Sequence, residues 1–225
     1  MNWLAHTLLS ERSAAFRIGN LLPDLLSPLE LQGLPAAFVP GIERHKVIDA
    51  FADSHFVVRR SIERVGPGFR RFAGILTDVF YDHFLAADWN AYSDVPLGSF
   101  AAEVYAAVDA LQNAIPTIAL ACLRQMSTED WLCSYRQIAG VRQALHRIGG
   151  RLRRPVELGG AVSVLEVNYE GFRQDFAAFF PSLEAHIASL TIRPRNASRL
   201  SKNGPPCDVP KSKSPATFRG QAGPD

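Results

Sequence analysis

Between residues 40 and 89 apolar side chains recur every three or four positions, and no stretch of the chain alternates apolar and polar residues as a half-buried strand would. Ile42, His45, Ile48, Phe51, Ala52 and His55 carry the first part of this period, and the helix is expected to run on to Val65. Gly66-Pro67-Gly68 supplies a stop, after which a second helix is expected over residues 72–89. The same reading places helices at 2–10, at 23–31 with a break at Pro28, and at 97–111 and 115–126. Further helices are expected at 128–138 with Thr128 as N-cap, at 141–149, and at 162–180, with Pro181 breaking the last from 183–190. Residues 35–38 read as a connector. The fold class is all-α, in one helical domain.

At 225 residues the chain is long enough to bury a sizeable core. Its formal charge of +2 hides an asymmetry. From Arg193 onward there are seven Lys or Arg against two Asp, and six of the 15 prolines, with no hydrophobic period. Residues 193–225 are therefore expected to be a basic, Pro/Ser/Lys-rich disordered tail, and residues 1–192 the domain. The body before the tail has 17 basic and 20 acidic residues and is mildly acidic. The tail could touch nucleic acid or an anionic protein, but it is expected to be a solvated appendage, and no nucleic-acid partner is expected. Cys122, Cys133 and Cys207 lack metal-like spacing, and the first two read as reduced core thiols. No run approaches the roughly 20 apolar residues of a membrane span, and no secretory leader is recognisable, so a cytoplasmic location is expected.

Asp78-Val79-Phe80-Tyr81-Asp82-His83-Phe84-Leu85 carries the chemistry. Asp78 and Asp82 share a helix face and His83 flanks them, inside a pattern that reads as buried. Buried carboxylates need a compensating charge, and a divalent cation would serve. An N-cap, a surface charge and a structural histidine would account for the same three residues. Upstream, His6 opens an apolar run, Asp24 follows Gly19-Asn20-Leu21-Leu22-Pro23, and His45 and Asp49 lie four apart. Asp49 could equally pair with a neighbouring Lys or Arg. Imidazole and carboxylate without thiolate suit manganese, iron(II), zinc or magnesium. No P-loop, dinucleotide fingerprint or nucleophilic Ser or Cys motif is present.

Asn2-Trp3-Leu4-Ala5-His6, Gly19-Asn20-Leu21-Leu22-Pro23-Asp24, Gly41-Ile42-Glu43-Arg44-His45-Lys46-Val47-Ile48-Asp49 and the Asp78 segment occur in this order. In order and spacing they resemble the bacterial acyl carrier protein phosphodiesterases. Trp131-Leu132-Cys133-Ser134-Tyr135 and Arg151-Leu152-Arg153-Arg154 are similar to that family's second half. The resemblance covers about residues 1–190. It implies the helical group of metal phosphohydrolases named for a His-Asp pair (HD-type), and manganese-dependent removal of 4′-phosphopantetheine from holo-acyl carrier protein to give the apo form. An HD-type phosphohydrolase acting on a nucleotide or other small phosphoester is the alternative, and a non-catalytic helical binding protein the third reading.

Cleaving a phosphodiester needs a strong nucleophile and neutralisation of charge on the phosphoryl oxygens, and a divalent cation can serve both needs. The expected metal ligands are Asp24, His45, Asp82 and His83, with His6 and Asp78 as orienting or proton-transfer groups. Asn20, Arg70 and Arg71 are expected to bind substrate. Acyl carrier proteins are small and acidic, so arginines near the metal should steer docking. Arg70 and Arg71 are the first choice, with Arg59, Arg60 and Arg64, and Arg151, Arg153 and Arg154, as further clusters.

Overall fold

Among the described residues, 1–191, the computed structural model contains twelve α-helices, five short 3₁₀ turns and no strand. The first half holds α1 (Trp3–Leu8), α2 (Ala14–Gly19), α3 (Pro28–Gln32), α4 (Val39–Ser54), α5 (Phe56–Arg64) and α6 (Ala73–Ala87). The second half holds α7 (Leu97–Ala110), α8 (Thr117–Thr128), α9 (Trp131–Ser134), α10 (Ile138–Arg151), α11 (Val162–Val167) and α12 (Tyr169–Thr191). The tail expected to be disordered, and with it Cys207, lies outside the described residues. Cys122 and Cys133 are free and half-buried.

α6 is apolar nearly all the way round, and a helix with that pattern has to be enclosed. Leu76, Val79, Phe80, Tyr81, Phe84, Leu85 and Ala86 are all buried, with α1, α5, α10 and α12 packed around them. α12 contributes most of the aromatic filling. Phe172 meets Phe80 edge-on at 5.2 Å, Phe176 meets Tyr81 at 5.4 Å, and Phe180 meets Tyr92 at 5.1 Å. Such ring pairs add about 0.5–1.5 kcal/mol each beyond the area they bury.

One carboxylate is sealed into this core. Asp175 on α12, 1% exposed, accepts from Arg60 Nε at 2.7 Å, Arg64 Nη2 at 3.0 Å and Ser61 Oγ at 2.9 Å. A buried carboxylate is tolerated only when its oxygens are satisfied in this way. Arg60 and Arg64, grouped with the arginines expected to dock the carrier protein, thus fasten α5 to α12.

The helix expected to run from residue 40 to 65 is two helices. His55 is extended at the joint (φ −79°, ψ 131°), and its Nδ1 accepts the Val57 amide at 3.3 Å, capping α5. Thr128 ends α8 instead of capping the next helix, and Asp130 takes up the left-handed conformation (φ 47°) before α9. Pro181, expected as a break, lies inside α12. It removes one backbone bond, but buried Phe179, Phe180 and Leu183 on either side hold the helix to the core.

Candidate metal centre

Six residues rarely sustain a helix alone, and α1 is held in place by α6. The Leu4 and Ala5 amides donate to Asp82 Oδ2 and Oδ1 at 2.7 and 3.0 Å, satisfying two of the N–H groups a helix start leaves open. Asp82 is wholly buried, and desolvation pushes its carboxyl up to about 7 against the pull of those amides. It fixes the helix that carries His6.

A close crossing of α2 and α4 brings the next groups together. A Cβ on Gly41 would lie 2.1 Å from the Phe16 carbonyl oxygen and 2.7 Å from the Asn20 nitrogen, and one on Gly19 would lie 2.4 Å from the Phe38 oxygen. Only hydrogen fits at these contacts. The approach seats Asn20 against two imidazoles. His6 Nδ1 lies 3.0 Å from Asn20 Oδ1, and His45 Nδ1 lies 2.9 Å from the Asn20 backbone oxygen. The rings stack with centroids 4.2 Å apart and planes 15° from parallel.

With Nδ1–H given to an oxygen, each ring turns its Nε2 toward Asp49. His6 Nε2 is 3.2 Å from Asp49 Oδ1 and 3.1 Å from the Met1 backbone oxygen, and His45 Nε2 is 3.0 Å from Asp49 Oδ2. Asp24 Oδ1 stands 3.7 Å from His45 Nε2, while Asp24 Oδ2 accepts Trp3 Nε1–H at 2.9 Å. The Met1 ammonium contacts Asp49 at 3.2 Å and Asp78 at 3.3 Å.

Charge in this cluster is tightly coupled. Burial works to raise the Asp49 carboxyl, but hydrogen bonds from His45 and His6 outweigh it and hold it far below the usual carboxylate range. Burial works to lower His45, and the bond to Asp49 with the charge of Asp24 raises it instead. The Met1 amine rises to about 11, since Asp78 and Asp49 overcome its burial. Desolvation raises Asp78 despite that amine, with 34% of its side chain still exposed. Asp24, Asp78, Trp3, Ile75, Ile148 and Arg151 line a cavity of about 280 Å³ beside the cluster.

Of the expected ligands, His45 and Asp24 meet here, joined by His6 and Asp49. Asp82 and His83 do not. The oxygens of Asp82 are taken by α1. His83, about 100° further round α6, has Nδ1 2.8 Å from the Tyr135 oxygen and Nε2 2.9 Å from Tyr169 Oη. Asn20, expected to bind substrate, is completely buried, and its amide nitrogen donates to the His6 oxygen and to Ser10 Oγ. Arg70 and Arg71 are exposed on the turn Pro67–Phe72 and do not line the cavity. Trp3 and Ile148 were not expected at the site. Trp3 carried a sequence signal in its place three residues before His6; Ile148 carried none. A larger open groove of about 660 Å³ includes His146 and Glu157, but these bond to each other at 2.8 Å across its surface.

The comparisons with known proteins agree on one family. Residues 1–183 match the model for acyl carrier protein phosphodiesterase. The chain belongs to the acyl carrier protein phosphodiesterase family. It is 31% identical over 193 residues to the acyl carrier protein phosphodiesterase of Salmonella dublin, which covers 85% of this chain and all of that protein. The protein of the same name from Enterobacter sp. (strain 638) is 29% identical over 81% of this chain and 95% of its own length. That of Escherichia coli (strain K12 / DH10B) is 30% identical over 85% of this chain and 100% of its own. No solved structure matches. The family's name denotes hydrolysis of a phosphodiester, and this chain is placed among such hydrolases. No helix among the described residues is long and apolar enough to cross a membrane.

The donor set fits a divalent cation. His6, His45 and Asp49 each offer a ligand atom, all within 4.8 Å of one another. Both imidazoles have their far nitrogen fixed by a carbonyl oxygen, the arrangement ligating histidines usually show. The ammonium held between Asp49 and Asp78 marks the same place as one that favours positive charge.

Proposed function

We propose that this chain is a metal-dependent acyl carrier protein phosphodiesterase. It hydrolyses the bond between the serine oxygen of holo-acyl carrier protein and the phosphate of 4′-phosphopantetheine, releasing the apo-carrier. The observation that carries this reading is the pair of imidazoles hung from Asn20 with both Nε2 atoms turned toward Asp49. His6, His45 and Asp49 would hold the cation, with Asp24 beside them. Manganese is the metal we favour, because mixed nitrogen and oxygen donors suit it better than magnesium. Bound there, the ion supplies positive charge for the phosphoryl oxygens and acidifies water.

The chain's own residues set the rest. Asn20 fixes both rings. Asp82 anchors the helix that presents His6, and the Trp3 indole aims Asp24. As a water oxygen bonds to phosphorus and the bond to the serine oxygen breaks, that oxygen needs a proton. Asp78 lines the cavity, where its carboxylate can take a proton from the water and pass one to that oxygen.

The test is mass spectrometry of holo-acyl carrier protein after incubation with the enzyme. Loss of the phosphopantetheine mass, abolished by chelator and restored by manganese, is the expected result. An unchanged carrier mass with manganese present would overturn the reading. Turnover in excess chelator would overturn its metal part.

A further inference from the structure

Two carboxylates, Asp24 and Asp78, line the cavity and repel a phosphodiester, which itself carries a negative charge. Something in the lining has to receive it. The end of α10 also lines the cavity, and the charged residue it contributes is Arg151.

The setting of Arg151 is unusual for a surface arginine. Its guanidinium lies over the Trp3 ring at 5.6 Å and the Trp131 ring at 5.9 Å. Those two indoles stack at 5.6 Å, and Arg147 covers the other ring of the pair at 4.1 Å from the Trp131 centroid. Stacking fixes the plane of a guanidinium and leaves its N–H edges free. Among the described residues Arg151 makes one hydrogen bond, from Nη1 to Cys122 Sγ at 2.8 Å, and no ion pair, although Asp24 and Asp78 line the same cavity. The side chain is exposed to solvent. Trp3, which carries it, is the residue that bonds Asp24. One indole therefore links Arg151 to Asp24.

We infer that Arg151 binds the phosphate of the substrate, its free N–H edge donating to non-bridging oxygens while its plane rests on Trp3 and Trp131. The planar fork of arginine suits that geometry, and a lysine would supply only a point charge. Arg151 holds the phosphodiester beside the carboxylate cluster, and fixes which face of the phosphorus meets the water. The inference rests on the proposed phosphodiesterase reading, and deepens it by naming the residue that receives the substrate's charge.

The experiment uses the full chain loaded with manganese, comparing wild type with Arg151→Gln, Arg151→Lys and, as a charge control, Arg12→Ala. Arg12 is exposed and lines no part of the cavity. The first readout needs no turnover: inorganic phosphate is titrated calorimetrically, and manganese content and circular dichroism are recorded beside it. Arg151→Gln should bind phosphate about 10- to 100-fold more weakly with manganese content and helicity unchanged, as expected when a charge-assisted hydrogen-bond pair is lost. Arg151→Lys should recover part of that loss, and Arg12→Ala should match wild type. The second readout is hydrolysis of holo-acyl carrier protein, where Arg151→Gln should raise KM and lower kcat together. Equal phosphate affinity in wild type and Arg151→Gln would overturn the inference whatever the turnover shows. Equal losses in Arg151→Gln and Arg12→Ala would overturn it too, by reducing the effect to long-range charge. A wild type that binds phosphate through Arg151 but leaves the carrier intact would sustain the inference and sink the substrate assignment.

Discussion

His6 and His45 stack 4.2 Å apart and are fastened to one residue, His6 to the side-chain oxygen of Asn20 and His45 to its backbone oxygen. They come from helices nearly forty residues apart in sequence, so neither could orient the other alone. The shared anchor turns both Nε2 atoms toward Asp49. Two stacked imidazoles that present the same nitrogen to one carboxylate form a site poised for a cation.

If that anchor sets ring orientation, Asn20→Ala should weaken manganese binding about 10- to 100-fold, the usual effect of deleting an orienting partner. Helicity by circular dichroism should stay close to wild type. Manganese titration monitored by electron paramagnetic resonance checks it, and unchanged affinity would show that the rings orient themselves.

Asp49 and Asp82 should fail differently. Asp49→Ala should abolish metal binding and hydrolysis together. Asp82→Ala should keep most of the bound metal but lose stability, because two buried amides are left without an acceptor at about 1–3 kcal/mol each. For a domain of this size, at about 2–4 °C per kcal/mol, that is a fall of roughly 4–24 °C in melting temperature. His83→Ala should likewise retain metal. Metal analysis paired with thermal denaturation separates the cases, and an Asp82 variant that melts normally but holds no metal would restore that carboxylate as a ligand.

The pH dependence has a definite sign. His45 is raised above its ordinary 6.5, so in metal-free protein its bond to Asp49 contributes stability that is complete below that value and fades as pH climbs through the raised one. Asp49 is lowered from 3.8, so its contribution is complete above that value and is lost only as pH falls through the depressed one. Metal-free protein should therefore melt at a lower temperature at about pH 8.5 than at about pH 6, on the His45 shift. Manganese affinity should rise over the same interval, since the ion needs the imidazole that the proton otherwise holds. Melting curves in chelator and manganese titrations at the two pH values provide the check; affinity falling with pH would contradict the ligand assignment.

Gly41→Ala should be among the most damaging small substitutions. Its methyl would meet backbone atoms, which cannot swing aside as a side chain would. Overpacking of this kind costs about 1–3 kcal/mol or more, and here it would also push Asn20 away from both histidines. Urea denaturation should show the loss of stability, and manganese titration a parallel loss of affinity. Gly74→Ala, where a Cβ meets nothing within 4 Å, serves as the control.

Much of the helical pattern was legible because apolar periodicity reports burial directly. α6 and α7 lie within two residues of their expected bounds. What escaped were events decided by neighbours. α2 has six residues, too few to show a period, and is fixed by its glycine-mediated contact with α4. His55 breaks a continuous apolar pattern by capping the next helix with its own ring. Pro181 fails to break one because the aromatic core around it holds the chain helical.

The sequence by itself determined an all-α domain, the pool of histidines and aspartates from which a metal centre could be drawn, and the order of motifs that places the chain in its family. Only the tertiary structure decided how that pool is divided. Asp82 and Asp49 each sit close to a histidine in sequence, one by adjacency and the other four residues on, and local pattern favoured Asp82. In the folded chain Asp82 faces the open amides of α1, which claim both its oxygens, while Asp49 faces two Nε2 atoms. A carboxylate bonds to whichever donors the packing of distant helices brings within about 3 Å, and that distance is not encoded in spacing along the chain.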